Sequence, residues 1–233
     1  MYAVLFDIDG TLVQTGGAGQ LAFAETMAGD FGVQQIDHQV LFAGRSDRAI
    51  SLELMALHDV EPNEENWNLF VSGYTRRLKE TLARCDGRVL PGVVELLDDL
   101  AQIDRVVIGL LTGNIQAGAQ RKLSHYGLAE QFEFGGFGDL HDNRNDIAAE
   151  AVRVATEHVT EPLKGVMVIG DTLADVQCAQ SVGAFAVAVA TGGNSLDELR
   201  SAEPSMLLAD LTESDQLLAE VERALYGRNA EPG

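Results

Sequence analysis

Apolar residues fill both alternating positions from Tyr2 to Phe6, the pattern of a strand buried on two faces inside a parallel sheet. The run breaks at Asp7-Ile8-Asp9-Gly10-Thr11, and a glycine-rich connector, Gln14 to Gly19, follows. The period then changes. Leu21, Phe23, Ala24, Met27 and Phe31 recur at helical spacing, and Gly32 stops the run. Arg48 to His58 reads as a second helix with Ser46 or Asp47 as N-cap. Asn63 to Cys85 reads as a third, with Trp67, Phe70, Val71, Tyr74 and Leu78 on one face. No strand signal separates these three helices.

From Val89 onward strands and helices alternate. Val106–Leu111, Val166–Ile169 and Phe185–Val189 are short apolar runs of buried strands; Phe132–Phe137 is a weaker strand candidate and Met206–Leu208 an edge-strand candidate. Helical spacing covers Val93–Leu100, Ala117–Tyr126, Arg144–His158, Leu173–Val182, Leu196–Arg200 and Ser214–Tyr226. Alternation of this kind builds βαβ units and a parallel sheet covered on both faces. The expected architecture is α/β: a Rossmann-like parallel sheet flanked by helices, formed by 1–13 and 89–233. A helical cap, 14–88, is inserted after the first strand, with the glycine-rich connector as its hinge.

Composition narrows the partners. The chain has 36 acidic against 16 basic residues, a formal charge of −20, and the acids are spread along it. Such a field repels nucleic acid and anionic membranes, so neither is an expected partner. An anionic small substrate would need a local cation, which points to a metal. Cys85 and Cys178 fall in no metal-ligand spacing and read as reduced core thiols of a cytoplasmic protein. The N-terminus has no basic lead, and no apolar run approaches membrane-spanning length.

Candidate chemistry gathers where the strands end. Asp7 and Asp9, two residues apart, would share one face of an extended strand end, roughly 6–7 Å apart at Cα. Such a pair suits a metal site or an acid/base couple, or merely closes a turn. In open parallel sheets ligands bind beyond the carboxyl ends of the strands. Four such ends are polar here: Asp7/Asp9/Thr11, Thr112-Gly113-Asn114, the loop Asp139–Arg144, and Asp171 with Asp175. Thr112-Gly113-Asn114 suits a helix N-cap, or equally a phosphate oxygen held by a hydroxyl and free N–H groups. Asp171 and Asp175, four apart, either favour a helix dipole or complete an all-oxygen site with Asp7, the preference of Mg²⁺.

Three strings carry a resemblance. Phe6-Asp7-Ile8-Asp9-Gly10-Thr11-Leu12, Leu111-Thr112-Gly113-Asn114 and Gly170-Asp171-Thr172-Leu173-Ala174-Asp175 are similar to motifs I, II and IV of the haloacid dehalogenase superfamily. Gly44-Arg45-Ser46-Asp47 and Leu90-Pro91-Gly92-Val93 resemble its phosphoglycolate phosphatase-like branch. The resemblance implies a Mg²⁺-dependent phosphatase acting on a small phosphorylated metabolite, phosphoglycolate or a sugar phosphate. It implies Asp7 as nucleophile forming an aspartyl phosphate, and Asp9 as general acid and then base. Thr112, Gly113 and Asn114 would hold phosphoryl oxygens. The metal would be held by Asp7, the Asp9 backbone carbonyl, Asp171 and Asp175. A phosphoglucomutase-like transfer and a non-catalytic phosphate-binding module remain alternatives on the same fold.

One departure stands out. The resemblance implies a lysine beside the phosphate, often in a K-P-x-P string, and that string is absent; the lysines are Lys79, Lys122 and Lys164. Lys79 lies in the helical unit, and Lys164 precedes its strand, at the wrong end of the sheet. Lys122 falls eight residues into a helix running away from the site, roughly 12 Å along its axis. Arg144, opening a helix after a strand's carboxyl end, is the expected replacement, with Lys122 second. Arg45 is the expected substrate contact from the cap, since arginine grips carboxylate or phosphate bidentately. His141 reads as a loop residue, and Trp67 with its aromatic neighbours as cap core.

Overall fold

The computed structural model describes residues 1–36 and 40–227. The first strand, β1 (Tyr2–Phe6), is fully buried, as its two apolar faces require. Side chains alternate across a strand. Tyr2, Val4 and Phe6 therefore enter one apolar cluster, while Ala3 and Leu5 enter another on the opposite face. Beside β1 lie β4 (Val106–Leu111) and β6 (Val166–Gly170), both parallel to it. With β5 (Gly135–Gly136), β7 (Phe185–Val189) and β8 (Met206–Leu208) they form a six-stranded parallel sheet in the order β5-β4-β1-β6-β7-β8.

The crossover helices are α4 (Val93–Gln102), α5 (Gln116–His125), α6 (Arg144–His158), α7 (Leu173–Ser181) and α8 (Leu196–Arg200), closed by α9 (Asp215–Tyr226). One face of the sheet is packed by the large residues of α4 and α9, such as Leu96, Leu100, Leu217 and Val221. The other meets alanines of α6 and α7: Ala148, Ala151, Ala155 and Ala179. Small residues let these helices approach the sheet closely. A Cβ on Gly136 would lie 2.8 Å from the Ala151 Cβ.

Between the first strand and α4 stand α1 (Ala18–Phe31), α2 (Asp47–Leu57) and α3 (Glu64–Arg84). They enclose a third apolar cluster of their own, around Phe23, Phe70 and Tyr74, with ring centroids 4.8–5.7 Å apart. Trp67 belongs to it, stacked on Phe70. A bidentate ion pair ties α1 to α3: Arg77 Nη1 donates to Asp30 Oδ2 at 2.6 Å and Nη2 to Oδ1 at 2.8 Å.

Two local expectations differ from the structure. Phe132–Phe137 contributes only Gly135 and Gly136 to the sheet, paired with Leu110 and Leu111. Its phenylalanines turn to packing instead: Phe132 meets the Phe6 ring edge-on, and Phe134 joins the alanine-rich cluster. The glycine-rich connector, in turn, is braced as well as bendable. Val13–Gln14 (β2) pairs antiparallel with Arg88–Val89 (β3), a two-residue ribbon joining the entry and exit of the helical unit. Gly16 and Gly87 allow that closeness, since a Cβ on either would collide with the facing backbone. Two-residue strands are too short for hydrophobic alternation to mark them.

Hydrogen bonding to Arg77 holds the Asp30 carboxyl below its ordinary value, against the opposing effect of burial. A group depressed in the folded state stabilises it fully above the unfolded pKa of about 3.9, and loses that contribution as pH falls through the lower folded value. Asp30→Asn should therefore cost about 1–3 kcal/mol in urea unfolding at pH 7. The difference from wild type should shrink when both are measured near pH 3; an equal difference at both pH values would contradict the assignment.

Candidate active site

The carboxyl end of β1 turns sharply. The N–H groups of Leu12 and Val13 both donate to the Ile8 carbonyl, and Gly10 takes φ +86°, a conformation open to glycine. This turn leaves Asp7 buried at the strand end and lets Thr11 Oγ1 donate to Asp171 Oδ1 at 3.2 Å. Asp171 follows β6, the neighbour of β1, so adjacent parallel strands end in facing carboxylates. Asp175 opens α7 as half of a capping box: its Oδ2 accepts from Thr172 N at 2.9 Å and from Thr172 Oγ1 at 2.7 Å.

Asp7, Asp171 and Asp175 are all buried and offer carboxylate oxygens within 4.8 Å of one another. Arg144, the first residue of α6, enters this cluster. Its Nη2 lies 3.2 Å from Asp7 Oδ1 and pairs with Asp175 Oδ1. Three carboxylates thus face one guanidinium. Burial, reinforced by neighbouring carboxylates, raises Asp171 above the ordinary carboxylate range; Asp7 is raised too, burial outweighing the pull of Arg144. Burial works against the Arg144 charge, but Asp175 and Asp7 prevail and hold its guanidinium above its usual value.

The donor set fits a hard divalent cation, because the cluster is all oxygen and one positive charge leaves it uncompensated. The backbone around Asp171 supports the same reading. Cβ atoms on Gly10 and Gly192 would both strike its carboxylate, so glycine backbone packs directly against that group. Asp175 contributes differently, since both its oxygens are already engaged by Arg144 and Thr172. Its fit is to support behind Asp7 and Asp171. The Asp9 carboxylate lies outside this cluster.

Asp9 Oδ2 instead accepts from Lys122 Nζ at 2.5 Å and from Asn114 Nδ2 at 2.8 Å. Lys122 Nζ also donates to Asn114 Oδ1 at 2.6 Å, and Asn114 Nδ2 to Thr112 Oγ1 at 2.8 Å. The axial distance that set Lys122 apart was only half the geometry. Helical side chains lean toward the helix N-terminus, and lysine's four-carbon stem carries the buried ammonium back to Asp9. Both candidate cations therefore reach the site and divide it, Arg144 at the acidic cluster and Lys122 at Asp9.

Thr112 and Asn114 are buried at the end of β4, and the Asn114 N–H rests on Thr112 Oγ1 at 3.3 Å. Gly113 lies beside Arg144, whose Nη1 would be 3.1 Å from a Cβ there. Arg144 Nε is fully buried with no hydrogen-bond partner among the described residues, while Nη1 is the guanidinium nitrogen on the Gly113 side. Asp7, Asp9, Gly113, Asn114, Lys122 and Arg144 line one cavity of about 530 Å³, with Asp171. Arg45 lines it from the helical unit, ion-paired to Glu53 at 2.5 Å and donating to the Leu41 carbonyl. His141 borders a separate groove, and Lys164 donates to the Leu225 carbonyl at the end of α9.

Sequence reading passed over Thr191-Gly192, the loop after β7. Thr191 Oγ1 donates to the Gly10 carbonyl at 2.5 Å, while Gly192 backs Asp171. Its one available signal was position: a Thr-Gly-Gly loop at the carboxyl end of a sheet strand.

A cavity lined by strand-end carboxylates, a hydroxyl-bearing loop and residues of the helical unit, at the edge of a parallel sheet, suits a hydrolase. Comparison with known proteins agrees. The haloacid dehalogenase-like hydrolase family model matches residues 4–189, and the chain belongs to that family. It is 29% identical over 222 residues to a phosphoglycolate phosphatase of Synechococcus elongatus, covering 94% of this chain and 97% of that protein. It is 28% identical over 222 residues to the probable phosphatase IndB of Dickeya dadantii, covering 90% of each. Among solved structures it resembles CbbY from Rhodobacter sphaeroides in complex with phosphate, with a TM-score of 0.72 at 21% identity. That match covers 91% of this chain and 96% of the other. Within the family the similarity is to the phosphoglycolate phosphatase-like branch.

Uncompensated buried charge has a measurable consequence. Without metal, Asp171→Asn should unfold at a higher temperature than wild type, because one of three mutually repelling carboxylates becomes neutral. Added Mg²⁺ should raise the wild-type melting temperature, by the equivalent of about 2.7 kcal/mol at a hundredfold excess over its dissociation constant. It should leave Asp171→Asn unmoved. Equal Mg²⁺ shifts in both proteins would rule out Asp171 as a Mg²⁺ ligand.

Proposed function

We propose that this hydrolase cleaves small phosphate monoesters in a Mg²⁺-dependent reaction through an aspartyl phosphate on Asp7. The observation that carries the proposal is the surroundings of Asp7. It belongs to an acidic cluster suited to a cation, lies beside the Arg144 guanidinium, and shares one cavity with Asp9. Asp7 would attack phosphorus, forming a carboxylate O–P bond as the bond to the leaving alcohol breaks. Asp9 would give that alcohol its proton, then take one from the water that hydrolyses the intermediate and frees phosphate. Arg144 would hold a phosphoryl oxygen through Nη1, the nitrogen beside Gly113, and Thr112 with Gly113 and Asn114 would bind the remaining oxygens. Lys122 and Asn114 would keep the Asp9 carboxylate in place between its two proton transfers.

Bound Mg²⁺ would neutralise the approach of a carboxylate to an anionic phosphate and stabilise the charge that develops. Asp7, Asp171 and the Asp9 main-chain carbonyl would hold it, with Asp175 behind. The helical unit, 14–88, would act as a cap, offering Arg45 to the alcohol part of the substrate. A cavity of about 530 Å³ accommodates more than a phosphate group, which suits phosphoglycolate or a sugar phosphate. Two unpaired cysteines accord with a reducing compartment such as the cytoplasm.

Phosphate release from an aryl phosphate and from an alkyl phosphate, each with and without Mg²⁺, tests this reading. Asp7→Asn should be inactive on both, and chelation should abolish wild-type turnover. Asp9→Asn should lose about 10²- to 10⁴-fold on the alkyl ester, the range typical of general acid–base catalysis. It should lose less on the aryl ester, whose leaving group needs little protonation. Wild-type rates matched by Asp7→Asn would end the proposal.

A further inference from the structure

Asp47, the first residue of α2, belongs to the helical unit, yet its N–H and its carboxylate both bond to the α/β unit. Its N–H donates to the Gly113 carbonyl at 2.7 Å, and its Oδ2 accepts from Ile115 N at 2.9 Å. Gly113 and Asn114, residues of the proposed phosphate loop, lie between these two bonds. Ile115 itself is shared in the same way. Its backbone leads into α5, but its fully buried side chain packs in the apolar cluster of the helical unit.

Local sequence explains why the link is needed. An isoleucine at the N-cap of α5 offers no side-chain acceptor, so the first amides of that helix depend on carboxylates from elsewhere. Asp47 takes Ile115, and Asp139 takes Gln116 N at 2.7 Å. Contact around the loop is tight. A Cβ on Gly113 would collide with the Arg45 carbonyl, and one on Gly44 would stand 2.9 Å from the Ala174 Cβ. Asp47 is also in an expensive place for a carboxylate. Burial pushes it up to about 7, with Lys122 and the Ile115 N–H pulling down and Asp9 and Asp139 adding to the rise. A group set where its charge is disfavoured is poorly explained by stability alone.

We infer that Asp47 is a positioning residue: by bracketing Gly113 to Ile115 it sets the phosphate-holding loop when the helical unit is docked. Docking and phosphate binding then favour each other, since any coupling between two equilibria is reciprocal. The inference rests on the phosphatase reading for the identity of the loop's ligand, but the link between Asp47 and the loop can be measured without one.

Hydrogen exchange over 113–118 in ligand-free protein, and binding of inorganic phosphate in the presence of Mg²⁺, test it together. Asp47→Ala should lose protection across 113–118 and bind phosphate about tenfold more weakly, the factor of one lost hydrogen bond of ordinary net strength. Asp47→Asn keeps an acceptor oxygen and should restore both to within about twofold. Asp47→Leu, which keeps side-chain bulk, should behave like Asp47→Ala and guards against an effect of lost packing. Unchanged protection of 113–118 in Asp47→Ala, or unchanged phosphate affinity beside a wild type that binds phosphate, would overturn the inference. Wild-type protein that neither binds phosphate nor hydrolyses any ester would instead overturn the phosphatase reading, with the exchange result still judging Asp47.

Discussion

Mutual repulsion among Asp7, Asp171 and Asp175 is the constraint around which this molecule is arranged. Like charges buried within a few ångströms are tolerated only where a rigid frame holds them and cations or donors surround them. Here the frame is the pairing of β1 with β6, which fixes Asp7 and Asp171 at neighbouring strand ends. Arg144 bridges Asp7 and Asp175, Thr11 donates to Asp171, and Thr172 donates twice to Asp175. The arrangement remains short of positive charge, the imbalance that the proposed cation would relieve.

The two interior cations serve different carboxylates. Arginine suits the acidic cluster because its planar fork can bridge two acids and still offer a further N–H. Lysine suits Asp9, whose carboxylate needs one strong donor while staying partly open to the cavity. Lys122 Nζ satisfies Asp9 and Asn114 together, and Asn114 passes the link on to Thr112. Loss of charge at either position would leave a buried or half-buried acid without its partner, a different fault from the loss of a surface ion pair.

Much of this was legible in the chain because strong local patterns carried it. Two-sided hydrophobicity marked β1, β4, β6 and β7, and the polar residues closing them marked the rim where chemistry gathers. What escaped depended on contacts between distant segments. The β2–β3 ribbon is two residues long on each side, below the reach of any periodicity. Axial rise alone puts Lys122 second to Arg144, though the lean of a helical side chain brings it to Asp9. Gly192 matters only because its backbone lies against Asp171, and Asp47 looked like an ordinary helix-opening acid. Its partner, the Ile115 N–H, lies 68 residues further along.

The helical unit is connected to the sheet in two contrasting ways. At the entry and exit of the helical unit, the β2–β3 ribbon joins two strands of two residues each, with Gly16 and Gly87 packed against the facing backbone. At the opposite contact, Asp47 and Ile115 join the two units through a pair of hydrogen bonds and one buried apolar side chain. A ribbon alone would leave the roof of the cavity loosely set, since two ladder pairs hold little against thermal motion. The contact at Gly113 to Ile115 seats the helical unit together with the packing of α3 on α5 and the Arg48–Asp142 ion pair, and it falls on the loop proposed to bind phosphate. Under the proposed function, selecting a substrate by its alcohol and holding its phosphate would be one mechanical event, because Asp47 and Ile115, which seat the helical unit, also border the loop.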